Sequence, residues 1–278
     1  MEILRYAAFS TDPAGGNPAG VVLDATGVDD STMLATAADV GFSETAFVVP
    51  LEDGSLGIRY FSPLAEVPFC GHATIATAVA HAQRHGVGNL QLHTQAGPVS
   101  VSTSTATDGS VVATLVSVPP RTVAIPDTDL TEILAALRWS IDDLDPDLPP
   151  RAAYAGAWHP VIAAAVRSRL ADLDYDMPAL ADLMRRKDWA TVDLVWRESQ
   201  TVYHARNPFP PGGVFEDPAT GAAAAAFGGY LRELGLIPTP ATITVYQGHD
   251  MGRPGTITVT MPAEAGSGVA VTGTAVRL

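Results

Sequence analysis

Cysteine and lysine are almost absent from this chain of 278 residues: each occurs once, as Cys70 and Lys187. A single cysteine allows no intrachain disulfide and closes any mechanism that needs two thiols, and it suits a reducing, cytoplasmic location. Lys187 lies in MRRKDW, which reads as an exposed basic helix end and a poor place for a Schiff-base or phosphate-loop lysine. Positive charge is scarce as a whole. Sixteen Lys and Arg stand against 30 Asp and Glu, a formal net charge of −14. Nucleic-acid binding is thereby excluded, since it requires clustered cations to neutralise phosphates. No apolar run approaches the roughly 18 residues of a membrane span, and the opening MEILRYAAFS lacks the basic flank and apolar run of a signal peptide.

What is present is core-forming material: 47% hydrophobic residues and only 17% charged. At about 150 residues per domain the length suggests two units. Short β-branched runs (MEILRYAAF, GVVLD, ETAFVVP, GIRYF, PVSVSTS, SVVATLVSV) alternate with helical segments. The first predicted helix is DDSTMLATAADVG, closed at Gly41, and the second runs from Gly71 to a stop at Gly86. The later half repeats the order: helix MPALADLMRRK, strands TVDLVWR and QTVYHAR, helix TGAAAAAFGGYLRELG, strands ATITVYQ and GTITVTM. Matching helix starts lie about 150 residues apart, which points to an ancient duplication. The final run GVAVTGTAVRL has no counterpart and is expected to return to the first half. The expected domains are therefore residues 1–118 with 265–278, and residues 119–264. The Pro119 to Pro126 stretch is read as linker, and the acidic tract IDDLDPDLPP as a solvated loop.

Two helix starts, FCGHAT and EDPATGAA, are glycine-bearing turns that leave backbone N–H groups free at a positive helix end. Such an end binds a carboxylate without help from lysine or arginine. Glu44, in GFSETAFVV, reads on its own as a surface acid. Held among Phe42, Ala46 and Phe47 it would instead be a carboxylate whose pKa desolvation raises until it trades protons near neutral pH. His72 is either a capping histidine or a donor aimed into a cleft. Asp217-Pro218 is either a helix cap followed by a first-turn proline, or a cap that also faces a ligand. His81 and His85 resemble half a zinc helix, but Gln83 does not supply the glutamate that motif needs. Cys70 lacks the surroundings of a cysteine hydrolase and reads as a small packing residue.

Taken together, GGNPAGVVLDA, FSETAFVV, FSPLAEVPFCGHATIATA, EDPATGAAAAA and YQGHDMGRPG, in this order, resemble the PhzF-like phenazine-biosynthesis proteins, relatives of diaminopimelate epimerase. The resemblance implies an α+β, diaminopimelate epimerase-like fold: two pseudo-symmetric domains, each a β-sheet wrapped around a central helix, with the active site in the cleft between them. It implies an isomerase that moves a proton on a small unsaturated or cyclic amino-acid-like carboxylate, as in trans-2,3-dihydro-3-hydroxyanthranilate isomerisation. In that reading Glu44 is the proton shuttle. His72 and Asp217 hold and polarise the substrate, and Asn17, Gly71, Gly221 and Ala222 line its site. No metal or organic cofactor is implied, the partner is a small-molecule carboxylate, and homodimers are common in the family. The two-cysteine epimerases need a thiol on each face of the α-carbon; the corresponding positions here read as Gly71 and Asp217, so a two-thiol racemase is excluded. Where the family usually carries Thr-Gly-Ser, this chain has Thr220-Gly221-Ala222, a lost hydroxyl worth ~0.5–1.5 kcal/mol if it bonded substrate. That departure motivates the alternative, a non-catalytic small-molecule binding or regulatory protein using the same cleft. A metal-dependent hydrolase would rest on the histidines alone.

Overall fold

The computed structural model describes residues 1–278. It divides into two compact units, Met1–Val116 with Thr272–Leu278, and Ser117–Val271. In the first unit, β1 (Leu4–Ala8) and β2 (Asn17–Val22) form a hairpin, α1 (Asp30–Val40) crosses to β3 (Glu44–Pro50), and β4 (Leu56–Phe61) and the short β5 (Glu66–Val67) follow. Then α2 (Gly71–His85) leads to β6 (Asn89–Thr94), β7 (Gly97–Thr105) and β8 (Val111–Val116). The crossovers over both helices join parallel strands, β2 with β3 and β4 with β6, as a helical connection permits.

The second unit begins with β9 (Arg121–Ala124) and α3 (Asp127–Leu137), then the hairpin β10 (Arg151–Tyr154) and β11 (Trp158–Ala163). The short α4 (Arg167–Ala171) and α5 (Met177–Lys187) cross to β12 (Asp193–Arg197), followed by β13 (Val202–Phe209) and β14 (Val214–Asp217). Then α6 (Gly221–Glu233) crosses to β15 (Ala241–Gln247) and β16 (Gly255–Met261), and the chain ends in β17 (Ala270–Arg277). Again the helical crossovers join parallel strands, β11 with β12 and β13 with β15. Hairpin, helix, hairpin, short strand, buried helix, hairpin thus occurs twice, which is the duplication read from the helix starts.

β17 pairs antiparallel with β1 and also with β8. Thr274 Oγ1 donates to the Val111 carbonyl at 2.7 Å, and the Thr114 and Thr272 hydroxyls meet at 2.7 Å. The pairings β1-β2-β3-β4-β6-β7-β8-β17 therefore close on themselves as a barrel. Inside it runs α2, with His72 through Ala80 and Ala82 all buried. An eight-stranded barrel leaves little more than room for side chains, so only a helix of small residues fits, and GHATIATAVAHA supplies it. In the second unit the equivalent α6 is GAAAAAFGGYLRE, buried from Ala223 to Leu231. Its two glycines are dictated by close approach: a Cβ at Gly228 would lie 2.7 Å from Val259 Cγ1, and one at Gly229 2.2 Å from Pro120 Cβ.

One local expectation is corrected and two stretches gain detail. The stretch Pro119 to Pro126 is no free linker, because Arg121–Ala124 pairs with β10 and Pro120 packs on α6. DTDLTEILAAL, unassigned from its sequence, is α3. The acidic tract contains a capped 3-10 turn at Ile141–Asp143, and its Asp145 and Asp147 pair with Arg197.

Candidate active site

In the first unit, Asp29 caps α1 through Thr32 N, and Gly41 ends it in a left-handed turn (φ 72°) that only glycine adopts without strain. Three residues later the chain enters β3, so Ser43 and Glu44 stand at the mouth of a barrel strand. On the neighbouring strand Asn17 opens β2; Ala19 lies opposite Glu44, which places Asn17 on the same face, one pleat away. The start of α2 is fixed from behind. Tyr60 O–H donates to Thr74 Oγ1 at 2.6 Å, and Thr74 Oγ1 donates to the Cys70 carbonyl at 2.6 Å. Burial pushes the Tyr60 phenol far above its usual range, so it stays a hydroxyl and a donor.

These two anchors bring four side chains together. The His72 Nε2 lies 3.5 Å from Glu44 Oε2 and 3.4 Å from Ser43 Oγ. Cys70 Sγ lies 3.5 Å from Glu44 Oε2 and 3.4 Å from His72 Nδ1. Cys70 and His72 are buried, whereas the Glu44 side chain keeps 16% of its surface. The first-turn N–H groups of α2, from Gly71 onward, have no acceptor within the helix and favour negative charge here. The arrangement combines a water-accessible carboxylate with an imidazole and a thiol, all able to carry protons.

In the second unit β14 carries Asp217 to the start of α6. Arg206 grips Glu216 with both guanidinium arms, both residues buried, and donates to the Ala171 carbonyl at 2.7 Å. Tyr175 stacks on Phe215 and donates to its carbonyl at 2.5 Å. Gln247, 1% exposed at the end of β15, ties the turn itself. Its amide donates to the Asp217 carbonyl at 2.7 Å and to Thr220 Oγ1 at 3.0 Å, and accepts from Thr220 N at 2.9 Å. Thr220 Oγ1 donates to Asp217 Oδ2 at 2.5 Å. Gly248 must lack a side chain, since a Cβ there would sit 2.6 Å from the Pro218 carbonyl. The motifs EDPATG and YQGHDMGRPG are thus one piece of structure, with the N–H groups of Gly221 and Ala222 at its helix end.

The duplication gives the first-unit constellation a sealed copy. Val161 lies opposite Asp193 as Ala19 lies opposite Glu44, so His159-Pro160 and Asp193 occupy the places of Asn17-Pro18 and Glu44. His159 and Asp193 are fully buried. Asn207 donates to Asp193 at 3.0 Å, Thr191 donates to Asn207 at 2.6 Å, and Thr191 lies 2.8 Å from His159 Nδ1. Because Thr191 spends its proton on Asn207, His159 must donate through Nδ1, and its Nε2 is left without a partner. Desolvation drives His159 down to about 4 and Asp193 up to about 7.

Of the residues singled out from the sequence, Glu44, His72, Gly71 and Asn17 fall in the first unit's cluster. Asp217, Gly221 and Ala222 fall in the second unit's turn. Sequence reasoning missed Ser43, Gln247 and the Arg206–Glu216 pair, and undervalued Cys70. The helix starts show why: each buried helix opens on a glycine, so Gly71 matches Gly221, and the residues at the cap are Cys70 and Thr220. His81 and His85 lie ring to ring at 4.5 Å on α2, away from the cluster by more than two turns.

Residues 6–278 match the family of phenazine biosynthesis-like proteins. An uncharacterized isomerase of Deinococcus radiodurans is 36% identical, over 92% of this chain and 85% of its own. The trans-2,3-dihydro-3-hydroxyanthranilate isomerase of Pseudomonas chlororaphis is 33% identical, over 89% of this chain and 85% of its own. Among solved structures, a PhzF-family phenazine biosynthesis protein from Bacillus anthracis superposes with a TM-score of 0.89 at 26% identity, covering 100% of this chain and 98% of the other. The fold is the epimerase-like one that the motifs implied, and no helix is long and apolar enough to cross a membrane. The protein is an isomerase, and it belongs to the PhzF family of phenazine biosynthesis-like proteins.

Proposed function

We propose that the chain moves a proton on a small unsaturated or cyclic amino-acid-like carboxylate, without metal or organic cofactor, and that Glu44 carries the proton. The observation that carries this reading is the cluster at the start of β3. Glu44 is the only carboxylate there, it keeps contact with solvent, and an imidazole lies 3.5 Å away. A carboxylate so placed takes a proton from one carbon and returns it to another on the same face. His72 holds and polarises the substrate, with Asn17 and Gly71 beside it. Asp217 shares with His72 the holding and polarising of the substrate, and the N–H groups of Gly221 and Ala222, at the positive end of α6, hold its carboxylate. The two-domain organisation, a cytoplasmic location and a homodimer belong to the same proposal.

Similarity to the anthranilate-type isomerase makes trans-2,3-dihydro-3-hydroxyanthranilate the first substrate to test. Proton NMR in D₂O follows both rearrangement and deuterium uptake. The native protein is expected to isomerise the compound and incorporate deuterium. Glu44→Gln is expected to bind it and lose at least the roughly 10²–10⁴-fold that general acid–base catalysis contributes. An active Glu44→Gln protein would remove Glu44 from the mechanism. A native protein that binds without turnover would move the reading toward a binding or regulatory role.

A further inference from the structure

We propose that Glu44, Cys70 and His72 form a three-ligand site for a divalent transition metal, Zn²⁺ foremost, whose occupation shuts the isomerase off. The site consists of one thiol, one imidazole and one carboxylate, the set that borderline-soft Zn²⁺ prefers. Their ligand atoms all lie within 4.8 Å of one another. The spacing is the stronger argument. Zinc at ordinary bond lengths in tetrahedral geometry holds its S, N and O ligands about 3.3–3.6 Å apart. Here Sγ–Oε2 is 3.5 Å, Nε2–Oε2 is 3.5 Å and Sγ–Nε2 is 3.9 Å. The sulfur also lies 3.4 Å from Nδ1, beside the ring and off the Nε2 lone-pair axis, so the imidazole turns about its Cβ–Cγ bond to aim that lone pair between Sγ and Oε2, which completes the face of a tetrahedron with the fourth position left for water or a substrate oxygen.

The backbone around the three ligands is already fixed. Thr74 and Tyr60 pin the Cys70 carbonyl, and the barrel register pins Glu44. Beyond the turn of the His72 ring, little ordering is therefore left for the metal to impose, and the chain's charge of −14 draws cations toward it. Binding replaces the Cys70 thiol proton, which leaves to solvent, and uses the Nε2 lone pair of neutral His72. The metal's effect on turnover, unlike its binding, rests on the reading that Glu44 carries the proton: a carboxylate on zinc is not free to take one.

Co²⁺ added to the full-length protein reports the ligands directly, because a thiolate on cobalt gives a near-ultraviolet charge-transfer band. One equivalent per chain is expected to produce that band, and Zn²⁺ is expected to displace it. Zn²⁺ should also protect Cys70 from iodoacetamide, read by mass on the single cysteine. Cys70→Ser and Cys70→Ala should lose the band and weaken Zn²⁺ binding by more than the roughly 10–100-fold that loss of an outer-shell partner costs. His85→Ala should keep both, which separates this site from the His81–His85 pair. Absence of the band in native protein, or equal Zn²⁺ affinity in native and Cys70→Ser protein, overturns the proposal. A band and protection without inhibition leave the site standing and overturn both the shut-off and the role of Glu44. Inhibition relieved by a chelator supports the whole.

Discussion

Gln247 contributes no group to the chemistry proposed, yet one amide makes all three side-chain bonds that hold the Asp217–Thr220 turn in register with β15. Gln247→Ala takes away the partner of the half-buried Thr220 N–H and of the half-buried Asp217 carbonyl, a cost of ~1 kcal/mol or more. Urea unfolding should show that loss, and steady-state kinetics should show a raised KM, since the turn carries the proposed carboxylate site. The sealed pair His159 and Asp193 makes a sharper prediction. Asp193, raised to about 7, keeps its proton in the folded chain between about pH 4 and 7, so its contribution to stability falls as pH rises through that window. His159, lowered to about 4, stays neutral when folded, so its contribution rises with pH from about 4 to 6.5. Each slope is roughly 1.4 kcal/mol per pH unit, and over the shared window they oppose. Unfolding midpoints of native protein should change little from this pair between pH 4.5 and 6.5. Asp193→Asn should gain stability with rising pH and His159→Gln should lose it; parallel profiles for the two variants would refute the assignment.

At the scale of elements, the buried helices show what their composition is for. Gly229→Ala should raise intrinsic helix propensity by up to ~1 kcal/mol. It also drives a methyl into Pro120, 2.2 Å away, and overpacking costs ~1–3 kcal/mol. A lowered thermal midpoint is expected, measured by circular dichroism; a rise would mean that Pro120 moves freely. The first two helices legible from the sequence had visible ends: Asp29 as the cap of α1, and Gly41 and Gly86 as the stops of α1 and α2. α3 had neither signal, because Pro126 precedes it without a side-chain cap and Arg138, not glycine, takes the left-handed position after it. β10 and β11 escaped notice for a related reason: RAAY and WHPVIA carry alanines and a proline where strands are usually β-branched.

On the scale of the whole molecule, the last strand belongs to the first barrel. Its pairings with β1 and β8 join residues more than 150 positions apart. Ending the chain after Val271 leaves two exposed strand edges with unpaired N–H and C=O groups. That truncation is expected to lose the first unit's hydrogen-exchange protection and to aggregate, whereas the second unit, whose residues stop at Val271, should keep its own. Protection across β1, β2 and β8 equal to that of the full chain would show that closure is dispensable.

The sequence by itself determined the repeated order of elements, the ends of the capped helices and the inventory of groups able to move protons, because caps, glycine stops and residue chemistry are local. Local pattern also carried the family, through five motifs in register. Only the tertiary structure decided which acid at the head of a crossover strand meets water. Glu44 and Asp193 share a register, yet Glu44 retains exposed surface beside His72 and Cys70, while Asp193 is sealed against Asn207. Burial depends on what distant segments bring to a position. For the same reason Cys70, unremarkable in its own sequence, becomes the sulfur that touches both the carboxylate and the imidazole.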